Sequence, residues 1–369
     1  MRRMRAASPR RSSLHSLCTY LGSFPPELPA EYINRYTSSG QRVLDPFCGS
    51  GTTILTARQH GREGVGIDRN PLAFCVSSAK AASVEQVAVL RRVASLDEEF
   101  HRCGGHQYEM PADLRSFFHP YTVGQLAYIR SVLQQEDTVD NFILAALLGI
   151  LHGKRRKSFG SAYLSVDMPN TFSMSPRYVA TYVRENKLSL RPYDVFLQLR
   201  RRVETLEFIS GAPGTVHFGD ASRVETYSGI PPVDLIFTSP PYLGVLKYGA
   251  FNWLRLWLLG VDPKAVDGAL AQTGSLTRYL TFLLNALEAM ASASRIGTKA
   301  ILVIGAVMTR SGTLLGDEVV ESVVPLSQWT YLETVNDRAH SDLKTTRIWD
   351  ETRGRASAFD QLIVLERRA

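Results

Sequence analysis

The stretch from Arg42 to Asp68 constrains the fold more than any other part of the chain. Arg42-Val43-Leu44-Asp45 reads as a short apolar strand that ends in a carboxylate. Pro46-Phe47-Cys48-Gly49-Ser50-Gly51-Thr52-Thr53 follows, and then a helical run from Ile54 to about His60 with Gly61 as its stop. Gly64-Val65-Gly66-Ile67-Asp68 is a second strand ending in a second acid. Strand, glycine turn, helix and strand make a βαβ unit, whose crossover is right-handed and whose strands are parallel. An α/β protein with a doubly wound sheet is therefore expected.

The turn in that unit has the chemistry of a ligand site. Gly49 and Gly51 let the backbone bend sharply and approach a bound group, and the helix start behind them presents unpaired N–H groups. Asp68 stands 17 residues after Gly51 (68 − 51), close to the ~20-residue spacing at which an acid grips ribose hydroxyls in such folds. A dinucleotide site would add a third glycine, which is absent, and a carboxylate directly before the loop repels a pyrophosphate. This disfavours a nicotinamide oxidoreductase. A cationic nucleoside suits Asp45 better, and S-adenosylmethionine carries both a sulfonium and an ammonium group.

A second feature lies far downstream. Val233 to Phe237 reads as a buried strand, and Thr238-Ser239-Pro240-Pro241-Tyr242 follows it. Two prolines fix φ twice and remove two N–H donors, leaving a stiff rim that only accepts hydrogen bonds. With a hydroxyl before the prolines and a ring after them, such a rim can hold an amino group on a planar base.

Together, Asp45 to Thr53 and Thr238 to Tyr242 resemble the amino-methyltransferases of DNA, and the Ser-Pro-Pro-Tyr wording is most similar to the cytosine-N4 branch. Phe24-Pro25-Pro26-Glu27-Leu28 resembles the segment that precedes the glycine loop in that family. The matching blocks cover residues 24–75 and 212–260. The resemblance implies a Rossmann-like doubly wound methyltransferase sheet of seven strands, the last one antiparallel, with S-adenosyl-L-methionine as cofactor. Carried over residue by residue, Asp45 and the loop of Phe47, Gly49, Ser50, Gly51 and Thr52 would hold the methionine end. Asp68 would take the ribose and Asp220 the adenine amine, while Phe24 and Pro25 would wall the methionine. Ser239, Pro240, Pro241 and Tyr242 would form the catalytic rim, with Tyr242 stacked on a flipped base. Adenine-N6 methylation of DNA and methylation of RNA stay open as alternatives. Cytosine-C5 chemistry needs a cysteine after a proline, and the chain has no Pro-Cys pair.

The next family-like segment, Val216 to Asp220, ends 152 residues beyond Asp68 (220 − 68). Residues 86–211 are therefore expected to be a helical insertion, serving as target-recognition domain within a catalytic domain formed by residues 16–85 and 212–369. Val87–Phe100, Gly124–Gln135, Asn141–Leu151 and a helix opened by Ser175-Pro176 have the apolar spacing of helices. Between His152 and Arg202 eleven Lys or Arg face three acids, a balance of +8 that exceeds the +7 of the whole chain. Lys154, Arg155, Arg156 and Lys157 are the expected phosphate contacts. Tyr178 and Tyr182, on one helical face, are expected in the core.

Beyond the proline pair, Tyr248–Leu259 reads as one aromatic-rich helix and Leu276–Ala293 as another; Lys299–Gly305, Trp329–Val335 and Gln361–Leu365 read as strands, and residues 337–354 as a polar loop. Residues 1–15 hold five arginines and no acid, and read as a basic disordered tail. The longest apolar run, Phe142–Leu151, is ten residues and too short for a bilayer. Four scattered cysteines form no disulfide framework, and no metal site is expected. The expected setting is cytoplasmic, with the nucleoid as its place in a bacterium. Double-stranded DNA is the expected partner and a cognate restriction endonuclease a second; no membrane is involved.

Overall fold

The computed structural model describes residues 12–104, 108–153, 163–168, 173–244, 247–270, 273–310, 312–338 and 359–368. Among these, seven strands form one sheet: β1 (Arg42–Asp45), β2 (Glu63–Asp68), β3 (Thr215–Phe218), β4 (Val233–Thr238), β5 (Ser294–Gly305), β6 (Trp329–Asp337) and β7 (Asp360–Arg367). Their order is β3-β2-β1-β4-β5-β7-β6. β1 to β5 pair in parallel, and β7 is antiparallel to both of its neighbours. This is the doubly wound sheet expected from the sequence, with its reversed last strand. The strand order turns back at β1 and β4, and the crevice beyond such a switch point is where open α/β sheets bind ligands.

The helices of the described residues are α1 (Glu27–Tyr36), α2 (Thr52–Gln59), α3 (Pro71–Ala81), α4 (Gln86–Arg102), α5 (Pro120–Val132), α6 (Thr138–Ile150) and α7 (Pro176–Glu185). After these come α8 (Val195–Glu204), α9 (Tyr248–Phe251), α10 (Trp253–Leu258), α11 (Pro263–Ala269), α12 (Leu276–Ser292) and α13 (Leu315–Ser322). Strand alternation sorts the sheet's side chains between two layers. Leu44, Val65, Ile236, Leu302 and Ile363 meet α12 and α13 on one face. Val43, Leu235, Ile301 and Val364 meet α1 and Ala57 of α2 on the other. α2 sits so close to β2 that a Cβ on Gly64 would lie 2.7 Å from the Ile54 carbonyl oxygen.

The region between α3 and β3 is helical, as its periodicity predicts, and it is built against the sheet layer. One apolar core runs from Leu55, Leu72 and Val76 through α4, α5, α6, α7 and α8 to Leu254, Leu256 and Leu258 of α10. Asn141 Nδ2 of α6 donates to the Cys75 carbonyl of α3 at 3.1 Å. The helix starts carry ordinary caps: Asp137 accepts from the Val139 and Asp140 amides, Ser175 from Tyr178, and Asp194 from Leu197. No helix among the described residues is long and apolar enough to cross a membrane.

Several expectations are corrected. The run Tyr248–Leu259 is two helices, broken at Asn252 (φ −120°, ψ 18°), whose side chain turns back to donate to the Tyr248 carbonyl at 3.0 Å. Tyr178 and Tyr182 are not core: α7 is peripheral, and their rings stack on each other with centroids 6.1 Å apart while Tyr178 stays exposed. Residues 12–15, expected within the disordered tail, are ordered. Ser13–Ser16 form a 3₁₀ turn that buries Leu14, held by a bond from the Glu207 amide to Ser13 Oγ at 2.7 Å. α1 begins at Glu27 because the prolines around it suit a first helical turn. Residues 1–11, Lys154, Arg155, Arg156, Lys157 and 339–354 of the expected loop lie outside the described residues.

Candidate active site

The carboxyl ends of β1, β2 and β4 converge on one cavity. The turn after β1 is held by Gly49 (φ +48°) and Gly51 (φ +75°), both in the left-handed region where a side chain is strained. Asp45, at the tip of β1, is fully buried and ties three elements together. Its Oδ1 accepts from Thr238 Oγ1 of β4 at 2.6 Å and from the Phe47 amide at 3.2 Å, and its Oδ2 accepts from Thr53 Oγ1 of α2 at 2.6 Å. Burial pushes its carboxyl up to about 6, with the nearby Asp68 charge adding to the push, against the pull of those hydrogen bonds.

Asp68, at the tip of β2, accepts from the Gly49 amide at 2.8 Å on Oδ2 and from the Asn70 amide at 2.8 Å on Oδ1. Burial pushes it too up to about 6. Each of its oxygens keeps a further lone pair. Asp220, just past β3, is bonded by the Ser222 amide and hydroxyl at 3.0 and 2.7 Å and by Arg69 Nη1 at 2.8 Å. Partial burial raises its pKa, but Ser222 and the two arginines Arg69 and Arg223 outweigh that and hold the carboxyl below its ordinary value.

Ser239 follows Thr238, so the bond from Thr238 to Asp45 fixes the start of the proline rim. Ser239 Oγ donates to the Val303 carbonyl of β5 at 3.0 Å, which commits its proton and leaves only lone pairs for another partner. Tyr242 lies against the segment before α1: a Cβ on Gly22 would meet its Cε2 at 3.0 Å. Burial pushes the Tyr242 phenol well above its ordinary value, so the ring is neutral.

The space enclosed, solvent-open mouth included, is about 970 Å³. Phe24, Phe47, Gly49, Ser50, Thr52, Asp68, Asp220, Ser239, Pro240, Pro241 and Tyr242 all line it. Pro25, Asp45 and Gly51, expected at the ligand, stand behind the lining. Pro25 is buried with its carbonyl on the Leu28 amide, and Gly51 packs on α3, where a Cβ would lie 3.0 Å from Ser77 Cα. Sequence reasoning missed Tyr20, Leu21, Gly22, Ser23, Arg69, Asn70, Tyr248, Leu270 and Phe282, which also line the cavity. Of these Arg69 and Asn70 carried a signal, being next to Asp68, and Tyr248 carried another, lying within the matching block 212–260.

Residues 6–76 match the family model described as DNA methylase. The type II methyltransferase M.BsoBI of Geobacillus stearothermophilus is 23% identical over 286 residues, 70% of this chain and 55% of that one. M.XycI of Xanthomonas campestris pv. cyanopsidis is 49% identical over 49 residues, 13% of this chain and 16% of its own. M.MjaII of Methanocaldococcus jannaschii is 32% identical over 71 residues, 19% of this chain and 13% of its own. The chain thus spans about half the length of M.BsoBI and far less of the other two. The likeness agrees with the family resemblance read from the glycine loop.

Proposed function

We propose that this chain, similar to the DNA amino-methyltransferases in its cofactor-binding segment, transfers a methyl group from S-adenosylmethionine to the exocyclic N4 of a flipped cytosine in double-stranded DNA. The observation that carries the reading is one cavity that joins the Gly49–Thr52 turn and Asp68 to the Ser239–Tyr242 rim.

The residues present fit the cofactor. Asp68 has free lone pairs for two ribose hydroxyls, Gly49 and Ser50 leave room for the methionine end, and Asp220 keeps acceptor capacity for an adenine amine beside Arg69. Asp45 acts at one remove, by setting the turn and the Thr238 end of the rim. When bound, the cofactor supplies an electrophilic methyl group. The chain's own work is positioning. Ser239 Oγ, its proton already given to Val303, accepts an amine hydrogen from the base, and the Pro240 carbonyl accepts the other. Holding both hydrogens turns the nitrogen lone pair out of conjugation with the ring. Pro241 stiffens the rim, and Tyr242 offers a flat face to the base. In-line transfer needs alignment more than a strong base. Extruding the base costs a few kcal/mol, supplied by phosphate contacts from the basic region, Lys154 to Lys157 foremost.

The test is incubation with labelled cofactor and separate DNA and RNA substrates, followed by nucleoside analysis. N4-methylcytosine in DNA is expected. Label found only as N6-methyladenine sinks the cytosine assignment, and label found only in RNA sinks the DNA assignment. Ser239→Ala should abolish transfer and leave cofactor affinity largely intact; loss of both would contradict the role given to Ser239.

A further inference from the structure

Two tyrosines given no role above, Tyr20 and Tyr248, stack with centroids 6.1 Å apart and planes 21° apart, and both line the cavity. Tyr20 covers the glycine turn: a Cβ on Gly49 would lie 3.3 Å from its Cε1. Its phenol accepts from Asn70 Nδ2 at 3.0 Å. Burial first, and then the neighbouring Asp68 carboxylate, push both phenols above their ordinary value, so both rings are neutral and stand next to the ribose-gripping acid.

The stack is held from behind by a single guanidinium. Arg255 is 1% exposed. Its Nη1 donates to the carbonyl of Thr19, the residue before Tyr20, and to Asn252 Oδ1, both at 3.0 Å. Asn252 in turn donates to the Tyr248 carbonyl at 3.0 Å. One side chain therefore fixes the backbone on both sides of the stack. Its Nε reaches the Leu148 carbonyl at the end of α6 at 3.2 Å, which links the stack to the helical insertion. From the far side, Asp267 of α11 holds α9 through the Gly249 and Ala250 amides at 2.7 and 3.1 Å.

We propose that the Tyr20–Tyr248 pair is a π-face wall that selects a sulfonium over a neutral thioether at the Gly49–Asp68 end of the cavity, with Arg255 as its positioning residue. This rests on the cofactor reading above. An aromatic face attracts a nearby cation through its quadrupole and does nothing comparable for an uncharged sulfur, a difference of about 3- to 30-fold in affinity. The pair favours the charged methyl donor and loosens its grip once the sulfur has lost its charge, which speeds exchange of product for fresh donor.

The experiment is titration calorimetry of S-adenosylmethionine and S-adenosylhomocysteine against the wild type, Tyr20→Leu, Tyr248→Leu, Tyr248→Phe, Arg255→Met and Arg255→Lys. The quantity read is the ratio of the two dissociation constants relative to the wild type. Each Leu variant should shift that ratio against the sulfonium by about 3- to 30-fold, and Tyr248→Phe should keep the wild-type ratio. Arg255→Met should shift it in the same direction, with partial rescue in Arg255→Lys. Equal weakening of both ligands, or an unchanged ratio, overturns the proposal. Should the Arg255 variants fail to fold, the Tyr248→Leu and Tyr248→Phe pair decides alone. A wild type that binds neither ligand overturns the cofactor reading itself, and the wall with it.

Discussion

Replacing Asp45 with asparagine should stabilise the protein at neutral pH, although the side chain ties together three elements directly behind the site. Asp45 is buried, its carboxyl stands at about 6 against an ordinary 3.8, and its oxygens face Thr238, Thr53 and the Phe47 amide. A folded-state pKa above the unfolded one means that the folded chain binds the proton more readily. Stability is then lost as pH rises from about 4 to about 6, and the loss is constant above that window. Two pKa units correspond to about 3 kcal/mol. Asparagine can keep its oxygen for Thr238 and Phe47 and donate to Thr53 Oγ1, whose own proton can turn to the Phe237 carbonyl 3.5 Å away. The second amide hydrogen stays unpaired, at a cost of about 1 kcal/mol. Asp45→Asn should therefore be about 1 kcal/mol less stable than the wild type at pH 4 and about 2 kcal/mol more stable at pH 7.5. Thermal melts of both proteins without ligand, taken across that range, should show the two curves of melting temperature against pH crossing. A variant that loses as much at pH 7.5 as at pH 4, or more, would show that the anion is welcome where it sits and refute the reasoning.

Asp68 should make cofactor affinity depend on pH in the opposite sense. Its carboxyl at about 6 is ionised at neutral pH, so binding should weaken as pH falls through 6, while Asp68→Asn should bind about tenfold or more weakly and give a flat profile in calorimetry between pH 5 and 7.5. Gly64→Ala should lower the melting temperature by an amount equivalent to about 2 kcal/mol or more, because its Cβ would lie 2.7 Å from backbone oxygen of α2 and the helix must shift. Reversing the charge of Lys154 to Lys157 should weaken DNA binding and flatten its dependence on salt, measured by fluorescence anisotropy at several ionic strengths; an unchanged salt slope would leave those residues merely solvated.

The parts of the site legible in the sequence are those where chemistry and backbone geometry coincide in neighbouring residues. Asp45, Gly49, Gly51 and Asp68 could be read because a strand end, a tight turn and an acid must follow one another in order. Ser239 to Tyr242 could be read because two prolines leave few conformations. Other features depend on partners distant in the chain. Asp45 reads in the sequence as a ligand contact, but Thr53 and Thr238 occupy its oxygens. Arg255 carries no signal in the sequence, since its partners at Thr19 and Leu148 are backbone carbonyls. Tyr178 and Tyr182 have core-like spacing, yet α7 packs at the edge through Val179 and the two rings cover each other. The break at Asn252 was hidden because its cause is a side chain folding back on its own helix.

The long insertion sets an order of assembly. β2 and β3 are neighbours in the sheet, with Asp68 opposite Phe218, yet the two residues are 150 positions apart in the chain (218 − 68). The glycine turn, α2 and β2 are local in sequence and can form early. β3 can dock only after a loop of that length has closed or the helices described within it have condensed against α3, and distant pairings of this kind are slow. Asp220 arrives with β3. A chain still folding would thus hold Asp68 in place before Asp220, and the cavity would gain its β3 wall last. On the function proposed above, a nascent or partly unfolded molecule would then compete poorly for cofactor until the helices between α3 and β3 are in place.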